Sequence, residues 1–255
     1  MTNRYFIYLA YNGTRYCGWQ RQPNGVSVQE RLEEALATVL RQPVPVTAAG
    51  RTDAGVHARC MAAHFDREEP VADLPLLTEK LNRILPEDIA VDRMAPVRPD
   101  AHARFDALSR TYQYVISDLK SPFDHEWICR MSLKGMDFGR MNDACRALLE
   151  ARDFTSFSKL HTDTATNLCR VSHAAWERAG ACRVFTIRAD RFLRNMVRAI
   201  VGTLFDVGRG KRTEADFRRL IEAENRSLAG SSAPAKGLAL TAVDYPDSLF
   251  LPLHP

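Results

Sequence analysis

The chain is organised around the stretch GRTDAGVHA, residues Gly50–Ala58. Apolar and small side chains dominate the segments on either side, and we predict strands at Val44–Ala49 and Cys60–Phe65. The stretch is therefore a loop between two rigid elements, which is where proteins commonly carry catalytic groups. Its glycines and alanines allow a backbone or a substrate to approach closely.

Three side chains in this loop can carry chemistry. The carboxylate of Asp53, two positions after Arg51, could be a nucleophile, a general base or half of an ion pair. The pattern alone fits equally well an Asp that bonds its own backbone beside a surface Arg. His57 is more typical of a hydrogen-bonded structural residue, because no second His, Cys or carboxylate stands at ligand spacing.

Composition limits the class of protein. The 255 residues suffice for one large domain or two smaller ones. The hydrophobic share of 45% and the charged share of 26% are ordinary for a soluble globular protein. Neither a long apolar run nor a leader peptide is visible in the sequence, so we expect a cytoplasmic protein with no membrane partner.

Cysteine spacing and net charge are less informative. The six cysteines are scattered without a Cys-x-x-Cys pair, so we interpret them as reduced thiols, not as a zinc site or a disulfide framework. The formal charge of +4 is compatible with a polyanionic partner but is common among proteins without one.

Hydrophobic periodicity predicts an α+β fold in which one order of elements occurs twice. The first part has the order strand, helix, strand, strand, helix, strand, which is ferredoxin-like. Its elements are a strand at Arg4–Tyr11, a helix capped by Ser27 that ends before Pro43, the two strands beside the loop, a helix at Leu74–Leu85 and a strand at Ile89–Met94.

The second part repeats that order after a proline-rich bridge at Ala95–Pro99. We predict two halves, residues 1–100 and 101–255, packed side by side with a catalytic cleft between them for a large substrate. The later elements are strands at Arg110–Ser117, Cys169–Trp176, Cys182–Ala189 and Leu238–Val243, and helices at Asp137–Glu150, at Arg191–Val207 and from Thr213.

Two basic features have alternative interpretations. The loop Thr14–Gln22 interleaves arginines with Tyr and Trp, which suits stacking on bases and pairing with phosphates, although Trp19 could simply anchor the loop to the core. In the helix predicted at Arg191–Val207, arginines lie opposite the apolar face, and such a row is often only solvated surface. These arginines are Arg191, Arg194 and Arg198.

The stretch around Asp53 resembles, nearly letter for letter, the active-site motif of the TruA family of tRNA pseudouridine synthases. Phe192–Gly202 is similar to the other strong motif of that family, with minor departures at Arg194, Asn195 and Ala199. Similar motifs cover essentially the whole chain. They are Tyr11–Gly13, Gly18–Arg21, His102–Phe105, Arg110–Tyr114, Asp153–Phe157 and Val243–Pro246.

This resemblance implies a role for four residues. Asp53 stands at the catalytic nucleophile, and Arg198 is the expected ion-pair partner of Asp53. Tyr112 corresponds to the substrate-binding tyrosine, and Arg51 is expected to fill the space left by an extruded target nucleotide.

The resemblance also implies the reaction and the partners. The expected substrate is tRNA, with uridine isomerised to pseudouridine at positions 38, 39 and 40 of the anticodon arm, and the expected assembly is a homodimer. No atom is gained or lost, so neither a cofactor nor a metal is expected. The alternative is a non-catalytic RNA-binding module of ferredoxin-like type, although the sequence lacks an RNP1-like run.

Overall fold

The computed structural model describes residues 2–159 and 166–252, and within them the fold is α+β, as predicted. Nine strands and five α-helices lie in this described part of the chain. In chain order they are β1 Asn3–Tyr11, α1 Val28–Leu40, β2 Thr47–Ala48, β3 His57–Arg67, α2 Leu74–Ile84, β4 Ile89–Val97, β5 Ser109–Ser117, β6 Cys129–Arg130, α3 Phe138–Glu150, β7 Val171–Ala179, β8 Cys182–Ala189, α4 Met196–Gly208, α5 Glu214–Glu222 and β9 Leu238–Asp244.

The chain divides into two compact units. The first comprises Met1–Leu108 together with Leu240–Pro255, so most of β9 belongs to the unit in which the chain begins. Its strands lie in the order β4-β1-β3-β9, and β1 is antiparallel to both β3 and β4. Five consecutive residues in the middle of β1 are buried, and the strand has a hydrogen-bonded neighbour on each side. Helix α2 packs on the adjacent strand β4 and contacts α1.

The second unit comprises Ser109–Ala239. Its strands lie in the order β5-β8-β7 with antiparallel pairing, and the short β6, which the sequence did not predict, pairs in parallel with β5. Helix α4 is the centre of this unit, because eleven of its thirteen residues are buried. Helix α3 packs on β7, α4 and α5.

Most predicted elements are confirmed with small shifts at their ends. Ser27 caps α1 as expected, since its side chain accepts the backbone N–H of Glu30. Strand β2 is only two residues long. Strand β4 runs to Val97 through Pro96, which the sheet tolerates because β4 lies at the end of the strand order.

The helix predicted from Arg191 begins at Met196 instead. Asn195 takes a left-handed backbone conformation with φ 64°, and a helix cannot continue backwards through such a residue. Arg191 and Arg194 therefore precede α4, so the expected row of three arginines along one helix face is wrong. Among those three only Arg198 lies on the helix.

A buried imidazole lies in the interior of the first unit. His64 on β3 is 6% exposed, and its Nδ1 accepts the backbone N–H of Ala103 at 3.1 Å. Burial, together with the positive charge of Arg4, lowers the pKa of His64 to about 4. The fold therefore holds this imidazole in its neutral form at neutral pH.

We expect the free energy of unfolding to fall as the pH drops from about 6.5 to about 4. The imidazole of His64 keeps its ordinary pKa in the unfolded chain, so the unfolded state takes up the proton first and acid favours unfolding. His64→Asn removes this titration and should flatten the pH dependence of the urea midpoint between pH 7 and pH 5. His125→Asn, at an exposed imidazole, is the matched control. Equal pH slopes for the wild type and both variants would contradict the prediction.

Candidate active site

Asp53 lies on the loop that joins β2 to β3, residues Ala49–Val56, which we name the Asp53 loop. The backbone N–H of Ala49 donates to the carbonyl of Ala62 at 2.7 Å. At the other end, the N–H of Val56 donates to the carbonyl of Asp53 at 3.1 Å and closes a turn. Backbone hydrogen bonds therefore fix this loop, and Asp53 within it is partly exposed.

A second loop, residues Asn12–Trp19, forms backbone hydrogen bonds with the Asp53 loop; we name it the N-terminal loop. The N–H of Trp19 donates to the carbonyl of Thr52 at 3.2 Å, and the N–H of Gly55 donates to the carbonyl of Tyr16 at 3.3 Å. These bonds fall on both sides of Asp53. They restrict its backbone to one position, which suits a nucleophile that must be aimed.

The approach of the two loops requires glycine at two positions. A Cβ atom on Gly18 would lie 2.4 Å from the carbonyl oxygen of Thr52, and its φ of +105° also disfavours any other residue. A Cβ atom on Gly13 would lie 2.0 Å from the carbonyl oxygen of Val56. The sequence motifs that contain these glycines are therefore explained by backbone packing against the Asp53 loop.

His57 joins the same two loops from within. It is 1% exposed, and its Nδ1 accepts the N–H of Gly13 at 3.0 Å. The hydroxyls of Tyr11 and Thr52 make a second buried contact at 2.9 Å. The prediction that His57 is a hydrogen-bonded structural residue is confirmed.

The aromatic side chains of the N-terminal loop face inward. Trp19 is 3% exposed, with its ring centroid 6.1 Å from that of Tyr11. The hydroxyl of Tyr16 donates to Asp88 at 2.6 Å, and Arg15 donates to the other carboxylate oxygen at 2.9 Å. Burial, with this hydrogen bond, raises the pKa of Tyr16. The two rings, Trp19 and Tyr16, anchor the loop to the core, so the alternative of base stacking by them is wrong.

Tyr112 lies on β5 in the second unit, opposite Ile187 of β8. Tyr112 is partly exposed, and its ring meets the ring of Phe192 edge-on, with centroids 5.2 Å apart and an interplanar angle of 85°. Such aromatic pairs favour defined geometries. Tyr114, two residues further along the same strand face, is fully buried and donates to the carbonyl of Pro234 at 2.9 Å.

Arg198 lies in the first turn of α4, also in the second unit. Its Nε donates to the carbonyl of Ala233 at 2.8 Å, and the N–H of Ala233 donates back to the carbonyl of Arg198 at 2.9 Å. The segment Ser231–Ala233 touches α4 closely, because a Cβ atom on Gly202 would lie 1.8 Å from the carbonyl oxygen of Ser231. This reciprocal pair orients the guanidinium group.

The structure thus places the four expected residues in two pairs. Arg51, exposed, and Asp53, partly exposed, share one loop of the first unit, whereas Tyr112 and Arg198 lie on β5 and α4 of the second. The sequence did not predict the residues that hold these loops and side chains in place, which are Gly13, Gly18, Asp88, Ser231 and Ala233. Gly13 and Gly18 could have been found because they belong to sequence motifs. Asp88 and Ala233 stand in no local pattern that would mark them.

Within residues 2–159 and 166–252, no group of three or more His, Cys, Asp or Glu side chains could hold a metal ion. Within the same ranges, every helix is too short or too polar to cross a membrane.

Comparison with known proteins gives one family. A model described as tRNA pseudouridine synthase matches residues 7–106 and 144–246. The tRNA pseudouridine synthase A of Parabacteroides distasonis is 60% identical over 247 residues, covering 97% of this chain and 98% of the relative. That of Porphyromonas gingivalis is 58% identical over 251 residues, covering 97% and 99%. That of Shigella boydii serotype 4 is 41% identical over 254 residues, covering 97% and 92%.

These similarities extend over both units and include the Asp53 loop and α4. They do not favour the alternative of a non-catalytic RNA-binding module, because the relatives are named synthases and the match covers more than nine tenths of each of them. The chain belongs to the tRNA pseudouridine synthase family and is an isomerase that turns uridine into pseudouridine in tRNA.

Proposed function

We propose that this chain isomerises the uridines at positions 38, 39 and 40 of the tRNA anticodon arm, with Asp53 as the nucleophile. The observation that carries the proposal is the Arg51-Thr52-Asp53 sequence on a backbone-fixed loop, in a chain similar to tRNA pseudouridine synthases over 97% of its length. The positions in the tRNA follow from the family resemblance described above.

The reaction defines what the site must supply. The bond from ribose C1′ to N1 of uracil breaks, the base turns over, and a bond forms from C1′ to C5. The hydrogen on C5 then leaves as a proton and N1 gains one, so atoms balance without an external donor. An anionic nucleophile is needed to start the cleavage, and a carboxylate can form the required covalent intermediate.

Asp53 suits this need because hydrogen bonds fix the backbone of its loop and the residue is partly exposed. It attacks either C1′ of the ribose or C6 of the uracil, and both attacks use the same carboxylate. A nucleophile on a rigid loop approaches a bound substrate with little loss of conformational freedom, which can contribute several kcal/mol to lowering the barrier.

Arg198 and Arg51 have different roles, the first as an ion-pair partner and the second as a replacement for the extruded base. In the reacting complex Arg198 pairs with the carboxylate of Asp53, and a charge-assisted hydrogen bond of this kind is worth roughly 1.5–3 kcal/mol. Arg51 occupies the space that the target uridine leaves in its stack. Extruding that nucleotide costs a few kcal/mol, and a filled gap offsets part of this cost.

Tyr112 stacks on the extruded uracil, and its hydroxyl oxygen takes the C5 proton at the end of the reaction while releasing its own proton to solvent, so the tyrosine stays neutral. The edge-on contact with Phe192 supports this role, because it limits the rotation of the tyrosine ring. No cofactor or metal takes part in the proposed reaction.

We further propose that the protein works in the cytoplasm as a homodimer that binds the anticodon arm. The polypeptide mass is 28.7 kDa, so light scattering of the purified protein should give about twice that value. A mass equal to one chain at micromolar concentration would exclude the dimer while leaving the proposed catalytic residues untouched.

We expect Asp53→Asn to abolish turnover while the protein still binds tRNA, because the amide has the same shape but is not a nucleophile. Tritium release from C5-labelled uridine in unmodified tRNA should fall by at least about 10³-fold. Asp92→Asn is the matched control, since the Asp92 carboxylate is 67% exposed on β4 and should leave the rate unchanged. Normal turnover by Asp53→Asn would refute the assignment, whereas retained binding with no product in the wild type would favour a mere RNA-binding module.

We expect Tyr112→Phe to lower kcat by about 10²-fold with little change in KM, because only the proton acceptor is lost. Tyr112→Leu should also raise KM, since the stacking surface is lost as well. Both constants come from the same tritium assay with purified tRNA. Full activity of Tyr112→Phe would exclude the proton-transfer role and leave only stacking.

A further inference from the structure

The loop Ala101–Leu108 in the first unit exposes a large aromatic side chain. Phe105 is 73% exposed, although its neighbours Ala101 and Ala103 are fully buried. We propose that Phe105 is a stacking platform for an unpaired nucleobase of the tRNA, at a place distinct from the reacting uridine. This inference rests on the proposed function only in taking tRNA as the substrate.

A column of rings supports Phe105 from the core outward. Its ring centroid lies 4.3 Å from that of His102, which lies 4.7 Å from that of His64. His64 in turn stacks at 6.3 Å on Phe6, a fully buried residue of β1. The exposed ring is therefore the outer member of a packed series that begins in the hydrophobic core.

Hydrogen bonds fix the backbone of the same loop. The N–H of His102 donates to Asp106 at 2.6 Å, and the N–H of Asp106 donates to the carbonyl of His102 at 3.0 Å. The carbonyl of Ala103 accepts the hydroxyl of Tyr245 at 2.6 Å. A ring on such a loop loses little conformational freedom on binding, which favours its use as a recognition surface.

The imidazoles in the column are neutral. Nδ1 of His102 accepts the backbone N–H of Arg104 at 3.1 Å, and Nδ1 of His64 accepts that of Ala103 at 3.1 Å. Burial lowers the pKa of both imidazoles, with a further contribution from Arg4. Neutral rings stay packed at physiological pH, so the support under Phe105 does not depend on a charge state that changes there.

The charge beside the ring suits a nucleotide. The guanidinium carbon of Arg104 lies 5.6 Å from the Phe105 ring centroid, and Arg104 is exposed. A flat ring with an adjacent guanidinium matches a base with its phosphate, because every base has a face that can stack and every nucleotide carries a negative charge. Single exposed apolar side chains are common on proteins, and it is this support and charge that distinguish Phe105.

The support of the platform lies along β3, away from the Asp53 loop. His57 begins β3 next to that loop, and His64 stands seven residues further along the strand, about 23 Å from His57 at the usual rise of a strand. A contact that does not touch the reacting uridine binds the substrate and the transition state equally. It should therefore affect KM and the dissociation constant of tRNA, and leave kcat unchanged.

The test compares Phe105→Leu and Phe105→Trp with Phe123→Leu. Phe123 is 89% exposed, and its sequence neighbours are Pro122 and Asp124, so it is an exposed Phe without an adjacent Arg. Phe105→Leu should raise the Kd for unmodified tRNA and the KM of tritium release by about 5- to 100-fold, with an unchanged thermal midpoint and kcat. Phe105→Trp should retain wild-type binding, and the added indole fluorescence should be quenched by tRNA. Phe123→Leu should behave as the wild type.

Three results would overturn the platform. Phe105→Leu could bind tRNA as the wild type does, Phe123→Leu could weaken binding equally, or Phe105→Leu could change the oligomeric mass and not the affinity for RNA. Failure of the proposed function looks different. In that case the wild type releases no tritium from C5-labelled tRNA. The effect of Phe105→Leu on RNA affinity is measured separately and does not depend on that result.

Discussion

The close backbone contact between the N-terminal loop and the Asp53 loop is the constraint on which the proposed chemistry depends. Two glycines allow the backbones to touch, since any Cβ atom at Gly13 or Gly18 would overlap a carbonyl of the Asp53 loop. Hydrogen bonds from Trp19 and to Tyr16 then fix the chain on both sides of Asp53. Buried polar groups take part as well, because His57 accepts a backbone N–H that would otherwise lack a partner in the interior. Hydrogen bonds and close backbone packing thereby fix the conformation of a short loop that has no regular secondary structure.

The second unit positions its polar side chain by the same physical means. Gly202 lets the segment Ser231–Ala233 lie directly on α4, and the carbonyl of Ala233 then receives the guanidinium of Arg198. Asn195 starts the helix in a left-handed conformation and donates to Ser232 at 2.6 Å, so one segment fixes both the helix start and the arginine. In both units, glycine lets two backbone segments approach closely, and this contact fixes the position of a functional residue.

Exposure of aromatic side chains decides which of them can meet RNA. Trp19 and Tyr16 were placed by sequence reasoning in a loop suited to base stacking, yet they are 3% and 7% exposed and serve as anchors. Phe105 stands in a motif that drew no such expectation, and it projects into solvent on a column of rings. The local sequence around an aromatic residue does not encode its exposure, because exposure depends on which distant segments cover it.

The sequence by itself determined the α+β class, the position of nearly every helix and strand, and the loop that carries Asp53. These features follow from local periodicity, turn residues and a motif that is contiguous in the chain. Only the tertiary structure showed that α4 begins at Met196, that β9 returns largely to the first unit, and that Thr52 and Ser231 stand where side chains on Gly18 and Gly202 would lie. Each of these depends on segments that are far apart in sequence, and a contact of that kind leaves no periodic signal at either end. The local sequence motif therefore identified Asp53, whereas packing between backbone segments far apart in the chain fixes the conformation of its loop.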